Sequence, residues 1–178
     1  MDGTELANQT LEPSFALLKD RFTAGRMFLL NPESHYRTAF LSELISDPFC
    51  PLYYFCLGAE DQTLVQVLTS LANTLALQNP LFGQNIVRAR IHTPDEIDLL
   101  AEALATDLNV LCDEHYILIL DDFDRTDDIL EMRHFVETLL NYLPPQCHLM
   151  INSRTEMPQY AWPALIARGY IQIVNLPA

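Results

Sequence analysis

Apolar residues recur along this chain in two patterns, one typical of amphipathic helices and one typical of buried strands. Spacings of three and four residues predict helices over residues 13–22, 38–46, 61–79, 93–112, 127–142 and 161–168. Short apolar runs predict strands over residues 26–30, 52–57, 116–120, 148–152 and 170–174. Residues 81–92 are interpreted as a loop with helical turns. Helices alternating with two-faced apolar strands predict an α/β domain, with a parallel sheet covered by helices on both faces.

Polar residues mark the ends of several predicted elements. The run Thr93–Glu96 fits a capping box, with threonine at the N-cap, proline at N1 and glutamate at N3 of the next helix. Asp61 fits the N-cap of the preceding helix. Residues 1–12 are polar and predicted to be loose, so we expect a single domain over residues 13–178.

The chain is strongly acidic, with 24 Asp+Glu against 10 Lys+Arg and a formal net charge of −14 over 178 residues. Nucleic-acid binding needs clustered Lys and Arg, so direct nucleic-acid contact is excluded, and an anionic membrane repels the chain for the same reason. We therefore expect other protein domains, or further copies of the chain, as partners. The N-terminus shows no secretory signal and no apolar span, which indicates a cytoplasmic location. Four widely spaced cysteines are expected to be reduced and mainly buried.

The segment Tyr116–Asp122 (YILILDD) carries the strongest chemical signal, because an apolar strand runs directly into two adjacent carboxylates. In a parallel α/β sheet the carboxyl ends of the strands form the ligand crevice. P-loop nucleoside triphosphate hydrolases place acids there, so Asp121 is the candidate Mg²⁺ ligand and Asp122 the candidate catalytic group that polarises the attacking water. The same pattern also fits a plain turn in which aspartates accept hydrogen bonds from backbone N–H groups.

The segment after the first strand, Asn31–Thr38 (NPESHYRT), stands where a P-loop hydrolase has its glycine-rich phosphate-binding loop. Asn31 and Tyr36 replace the two glycines, and the tyrosine brings a ring and a strained positive φ to a place where the backbone must approach phosphate. Arg37 keeps the charge of the loop lysine in a planar form. Thr38 keeps the hydroxyl that contacts Mg²⁺. These four residues are candidate nucleotide-binding residues, and Thr38 is also a candidate metal ligand, but a plain strand–loop–helix connection fits the segment as well.

A further candidate follows the strand predicted over residues 148–152. Arg154 stands where a cation of a P-loop protein contacts the γ-phosphate, and a surface ion pair with one of the nearby acids is the alternative. Other kinds of site find no support. Cys112 and His115 lack a second ligand pair at zinc spacing, and the chain has no G-x-S-x-G nucleophile elbow.

Taken together, these residues resemble one known group of proteins. The order of RMFLL, Arg37-Thr38, LYYFCL, YILILDDF, LNYLPP, HLMINSRTEMP and ARGY is similar to that in the NTPase domain of MalT-like, large ATP-binding LuxR-type regulators. That group belongs to the STAND class of signal-transduction P-loop ATPases. The similarity runs from about residue 15 to residue 175 and is strongest over residues 116–170. It is weaker in the first half, where the diagnostic Walker A loop is degenerate.

The resemblance implies a three-layer P-loop NTPase-like fold, with a five-stranded parallel sheet in the order 5-1-4-3-2. It also implies ATP or ADP with Mg²⁺ as the ligand, and a switch role in transcription regulation. Matched position by position, it assigns Arg37 to the phosphate-binding lysine, Thr38 to the Mg²⁺ hydroxyl, Asp121 to the Mg²⁺ acid, Asp122 to the catalytic acid and Arg154 to the sensor arginine. The changes at Asn31, Tyr36 and Arg37 argue against hydrolysis.

Three functions are compatible with these features. The first is a degenerate nucleotide-binding domain of a transcriptional regulator or signalling protein, acting as a scaffold or interaction module with weak or no ATP hydrolysis. The second is an ATP-binding switch or ATPase in which Arg37 and Arg154 replace the missing contacts. The third is an α/β protein-interaction domain that uses no ligand. The acidic strand end beside an altered loop favours the first.

Overall fold

The computed structural model describes residues 3–93, 95–157, 160 and 162–177, with side chains from residue 10 onward. The helices are α1 Gly3–Arg21, α2 Arg37–Ser46, α3 Leu64–Ala76, α4 Gln84–His92, α5 Ile97–Asn109, α6 Met132–Tyr142 and α7 Trp162–Ala167. The strands are β1 Met27–Leu30, β2 Leu52–Cys56, β3 Tyr116–Asp121, β4 Cys147–Ile151 and β5 Ile171–Val174. A short 3₁₀ helix, Phe123–Thr126, follows β3.

The five strands form one sheet in the order β2-β3-β4-β1-β5, and every neighbouring pair is parallel. Read from the other edge, this is the predicted order 5-1-4-3-2, so the predicted α/β fold with a five-stranded parallel sheet is confirmed. The chain crosses from β1 to the far edge at β2, returns through β3 and β4, and adds β5 on the other side of β1. The order reverses between β4 and β1, where α/β sheets form their ligand crevice.

The sheet separates two apolar cores, because successive strand residues point to opposite faces. On one face, Ile117, Ile119 and Met150 pack with residues of α1 and α2. On the other face, Leu118 and Leu149 pack with residues of α3 to α7. The central strands β3 and β4 are therefore buried on both faces, as their continuous apolar runs predict.

Strand β2 departs from the prediction that its apolar run is buried on both faces, because β2 forms an edge of the sheet. Phe55 is 3% exposed, whereas Tyr54 is 38% exposed. Because β2 is at this edge, the side chain of Tyr54 can reach the end of the neighbouring strand β3.

The four cysteines are free thiols. Cys147 is buried, but Cys56 is exposed, so the prediction of mainly buried cysteines is correct only in part.

Several helix boundaries differ from those predicted by apolar spacing. Helix α1 begins at Gly3 rather than near residue 13, and Leu11 within it is buried in the core that α1 shares with α2. Helix α6 begins at Met132 rather than near residue 127, because the 3₁₀ helix ends at Thr126 and turns occupy most of the residues from 127 to 131. Within the described residues, no helix combines the length and the apolar character needed to cross a bilayer.

The predicted capping box does not form. Residues 84–92, interpreted from sequence as part of a loop, are helical, and Thr93 ends that helix by donating its backbone N–H to the carbonyl of Ala89 at 2.7 Å. The next helix begins at Ile97 and has no side-chain cap. The proline at position 94 lies outside the described residues.

The helix after β2 is also capped by a residue other than the predicted one. Thr63 is the N-cap of α3, and its hydroxyl accepts a hydrogen bond from the backbone N–H of Gln66 at 3.2 Å. Asp61 is buried instead, where its carboxylate accepts hydrogen bonds from the Gly58 N–H at 2.7 Å and from the Ser70 hydroxyl at 2.6 Å. It therefore fixes the turn between β2 and α3 rather than the first turn of the helix.

A buried carboxylate of α5 explains why the α4 segment is helical without a strong apolar repeat. Asp107 is fully buried and accepts hydrogen bonds from the Asn85 N–H at 3.2 Å, the Asn85 side-chain amide at 2.8 Å and the Ile86 N–H at 2.9 Å. The first N–H groups of a helix have no acceptor within the helix. Asp107 supplies that acceptor from 21 residues away.

Two histidines stack near the amino-terminal ends of β3 and β4, with ring centroids 5.2 Å apart. Nδ1 of His148 lies 2.6 Å from the carbonyl oxygen of Gly25, which only accepts hydrogen bonds, so Nδ1 carries the proton. Nε2 of His148 then accepts from Nδ1 of His115 at 2.9 Å. Burial lowers the pKa of His148, the Gly25 carbonyl opposes that change, and the neighbouring His115 adds to it.

The lowered pKa of His148 predicts that the protein loses stability in weak acid. Below a pH of about 6.5 the unfolded chain binds a proton that the folded His148 resists, so the free energy of unfolding falls until the pH passes the folded pKa. Urea unfolding between about pH 7.5 and pH 5 measures this slope. His148→Gln is expected to flatten it, and an equal slope in both proteins contradicts the role given to His148.

Candidate functional site

The loop between β1 and α2 is closed by its own hydrogen bonds. The side-chain oxygen of Asn31 accepts from the Glu33 N–H at 3.1 Å, and the carbonyl of Asn31 accepts from the Ser34 N–H at 3.2 Å. The Ser34 hydroxyl accepts from the Tyr36 N–H at 3.1 Å. A phosphate-binding loop points such N–H groups at its ligand. Here the N–H groups of Glu33, Ser34 and Tyr36 donate within the loop instead.

The two residues that replace the glycines do not adopt the left-handed backbone. Tyr36 has φ −89° and ψ 0°, and the non-glycine residues with positive φ in the described chain are Asp122 and Met157. The backbone strain predicted for Tyr36 therefore does not arise, because the loop does not require a positive φ at this residue. The Tyr36 ring is half-buried and packs against the core beneath α1 and α2.

The loop is also tied to the segment that follows β5. Ser34 is buried, and its hydroxyl donates a hydrogen bond to the carbonyl of Pro177. The N–H of Asn31 donates to the carbonyl of Val174 at 3.4 Å. Ser34 is thus a central residue of the loop, and no motif in the sequence distinguishes it.

Arg37 and Thr38 lie in the first turn of α2. Thr38 is exposed, while Nε and Nη1 of Arg37 are buried and have no hydrogen-bond partner among the described residues. Burying part of a guanidinium group without partners is unfavourable. Of the predicted site residues, Arg37 is the one whose surroundings favour an anion.

Asp121 ends β3, and its carboxylate is already engaged. It accepts hydrogen bonds from the hydroxyl of Tyr54, from Nδ2 of Asn152 at 2.6 Å and from the N–H of Asp122 at 2.8 Å. A carboxylate offers about four acceptor positions, so most of the lone pairs that Mg²⁺ requires are in use. Burial, and then the hydrogen bond to Asp121, raise the pKa of Tyr54, which keeps the hydroxyl protonated as the donor.

Asp122 and Arg154 form an ion-pair cluster with two further residues. Asp122 adopts the left-handed backbone (φ 53°, ψ 36°), and its carboxylate lies 3.4 Å from Nε of Arg125 and 3.6 Å from Nε of Arg154. Arg154 binds Asp124 through its backbone N–H at 3.0 Å and through Nη2 at 3.1 Å. Partial burial acts to raise the pKa of Asp124, but the hydrogen bonds from Arg154 outweigh it and lower that pKa. Of the two interpretations of Arg154, the geometry therefore shows the surface ion pair with acids.

The predicted site residues fall into separate groups. Asp121, Asp122 and Arg154 lie in the cluster at the end of β3, whereas Tyr36 and Arg37 lie at the start of α2. Within the described chain no hydrogen bond or ion pair joins the two groups. Asn31 also lines a cleft of about 620 Å³ above the ends of β1, β4 and β5.

The described residues do not fit a magnesium-bound triphosphate. The loop N–H groups of Glu33, Ser34 and Tyr36 donate within the loop. The candidate metal ligand is held by Tyr54 and Asn152, and Arg154 is paired with acids. Among the residues that the structure describes, no group of three or more His, Cys, Asp or Glu is arranged to hold a metal ion.

The sequence did not indicate Tyr54 and Asn152 as partners of Asp121, because these residues are 67 and 31 positions away from it along the chain.

The chain was compared with known protein families and with curated proteins. Neither comparison gives a significant match.

Proposed function

We propose that this chain is a degenerate STAND-type nucleotide-binding domain of a transcriptional regulator or signalling protein, which acts as a scaffold or interaction module with weak or no ATP hydrolysis. The observation that carries the proposal is the closed loop after β1. Its N–H groups donate to Asn31 and Ser34, and Ser34 is anchored to Pro177. The parallel sheet in the order 2-3-4-1-5 supports descent from a P-loop domain.

An interaction role is supported by apolar side chains that remain on the surface. Val87 and Ile91 lie one turn apart on α4, so they share a face, and they are 46% and 70% exposed. Leu81, shortly before that helix, is 64% exposed. Exposed apolar groups of this kind provide area for contact with another protein.

A nucleotide switch with a non-standard loop is a second candidate, favoured by Arg37. The unpartnered nitrogens of its guanidinium group lie in the first turn of α2, where the helix leaves backbone N–H groups without acceptors. In this alternative a phosphate group binds there, and Asp121 exchanges its bond with Tyr54 for the metal ion.

Thermal unfolding with and without Mg·ATP tests the proposal. We expect millimolar Mg·ATP to change the melting temperature by less than about 1 °C, because a ligand stabilises a protein only in proportion to ln(1 + [L]/Kd). Magnesium chloride with sodium sulfate at equal ionic strength is the control. A rise with Mg·ATP that disappears in Arg37→Ala contradicts the proposal and favours the nucleotide switch.

A further inference from the structure

The cleft above the ends of β1, β4 and β5 has the size and lining of a small-molecule site. Its volume of about 620 Å³ lies within the range typical of such sites. Its apolar walls come from Leu29, Ile151, Met157, Tyr160, Trp162 and Ile173. Two exposed carboxylates, those of Glu33 and Glu156, line it as well. The cleft occupies the crevice of the sheet, beside the point where the strand order reverses.

The aromatic wall of the cleft is fixed by contacts within the protein. The rings of Tyr160 and Trp162 stack with centroids 4.5 Å apart and an interplanar angle of 4°. The Thr126 hydroxyl donates to the carbonyl of Phe123, so it accepts from the Tyr160 hydroxyl, which lies 2.8 Å away. Met157 is buried with φ 51°, a strained backbone for a residue with a long side chain. These contacts hold Tyr160 against both Trp162 and Thr126.

The charges of the cleft select against anions. Among the described residues that line it, none is Lys, Arg or His, and Glu33 and Glu156 form no ion pair within the described chain. The faces of aromatic rings attract cations, most strongly in tryptophan. A chain with a net charge of −14 also raises the local concentration of cations. A triphosphate is therefore a poor occupant, whereas an organic cation satisfies both the carboxylates and the rings.

From this geometry we infer that the cleft binds a small organic ammonium ion with an apolar or aromatic body. The body contacts the aliphatic and aromatic walls, and the ammonium group lies between the rings and the carboxylates of Glu33 and Glu156. The indole N–H of Trp162 makes no hydrogen bond within the described chain and can serve a polar group of the ligand. This inference goes beyond the proposed function, since it uses the side chain of Glu33 and none of the contacts of Arg37 or Asp121.

Fluorescence of Trp162 provides a direct measurement, because it is the single tryptophan of the chain. Phenethylamine, 2-phenylethanol and 3-phenylpropanoate are matched probes that are cationic, neutral and anionic. We expect phenethylamine to change the fluorescence saturably with a Kd of about 1 mM, and the alcohol to bind more weakly. We expect no saturable change with the carboxylate. Equal responses to all three probes, or no saturation by the amine at about 20 mM, overturn the inference.

Charge-neutral variants locate the binding. Glu33→Gln combined with Glu156→Gln is expected to weaken phenethylamine binding about fivefold, a size typical of solvent-exposed ion pairs. Glu114→Gln changes an exposed carboxylate at the opposite end of the sheet and is the matched control. An affinity that is unchanged in the double variant, or reduced equally by Glu114→Gln, places the amine outside the cleft and contradicts the inference.

Discussion

Phe40→Ala is expected to lower the free energy of unfolding by about 4 kcal/mol, the usual size for deleting a fully buried phenylalanine. Phe40 has no exposed surface and stacks on Phe15 of α1, with ring centroids 4.4 Å apart and an interplanar angle of 15°. The substitution removes both the burial and the contact that joins α1 to α2, and it leaves a cavity that rigid strands cannot fill. Urea unfolding at neutral pH measures the loss.

Leu77→Ala provides the matched control for Phe40→Ala. Leu77 is 87% exposed at the end of α3, so its truncation is expected to change the free energy of unfolding by less than about 0.5 kcal/mol. Similar losses in the two variants contradict the packing of α1 and α2 on this face of the sheet.

Asp107→Ala is expected to lower the free energy of unfolding by about 3 kcal/mol. The variant leaves the N–H groups of Asn85 and Ile86 without their acceptor, and both are fixed near the buried end of α4. Part of α4 is therefore expected to unfold first, which hydrogen exchange of its amides detects as faster exchange.

Two further substitutions separate this effect from a general change of charge. Asp107→Asn keeps one carbonyl oxygen that accepts hydrogen bonds, so its loss is expected to be smaller than that of alanine. Asp113→Ala removes an exposed carboxylate and is expected to be near neutral. If Asp107→Ala is as stable as Asp113→Ala, the assigned role of the buried carboxylate in α4 is wrong.

The sheet was predictable from the sequence because its central strands carry their own signal. Residues 116–120 and 149–151 are apolar at successive positions, which fits a strand covered on both faces, and β3 and β4 are buried in that way. The run over residues 52–57 has the same composition but lies at an edge. Apolar content alone does not distinguish an edge strand from a central one, since that difference depends on the order of the strands.

Elements held by distant partners were not predictable. Helix α4 depends on Asp107 of α5, and Leu11 of α1 is buried by contacts that local spacing does not reveal. Thr93 fits an N-cap in sequence, whereas its backbone N–H bonds the carbonyl of Ala89 and ends α4. That role depends on a helix over residues 84–92 that the sequence does not predict.

The sequence predicted where the candidate site residues lie, but not which hydrogen bonds already occupy them. Asp121, Asp122 and Arg154 lie where the strands end, as the motifs indicate. Whether Asp121 is free for a metal depends on Tyr54 and Asn152, which lie on other strands or follow them. Likewise the substitutions at Asn31 and Tyr36 predict an altered loop, but its closure depends on Ser34 and on its bond to Pro177.

The central claim is that the loop after β1 is closed, because the N–H groups of Glu33, Ser34 and Tyr36 bond within it rather than to a phosphate. Isothermal titration calorimetry of the wild-type chain with Mg·ATP measures this most directly. The closed loop and the engaged carboxylate of Asp121 predict no saturable heat at ATP concentrations up to about 1 mM. Saturable binding with a Kd of about 10 μM or below contradicts the claim, because such an affinity requires the loop to open around the triphosphate.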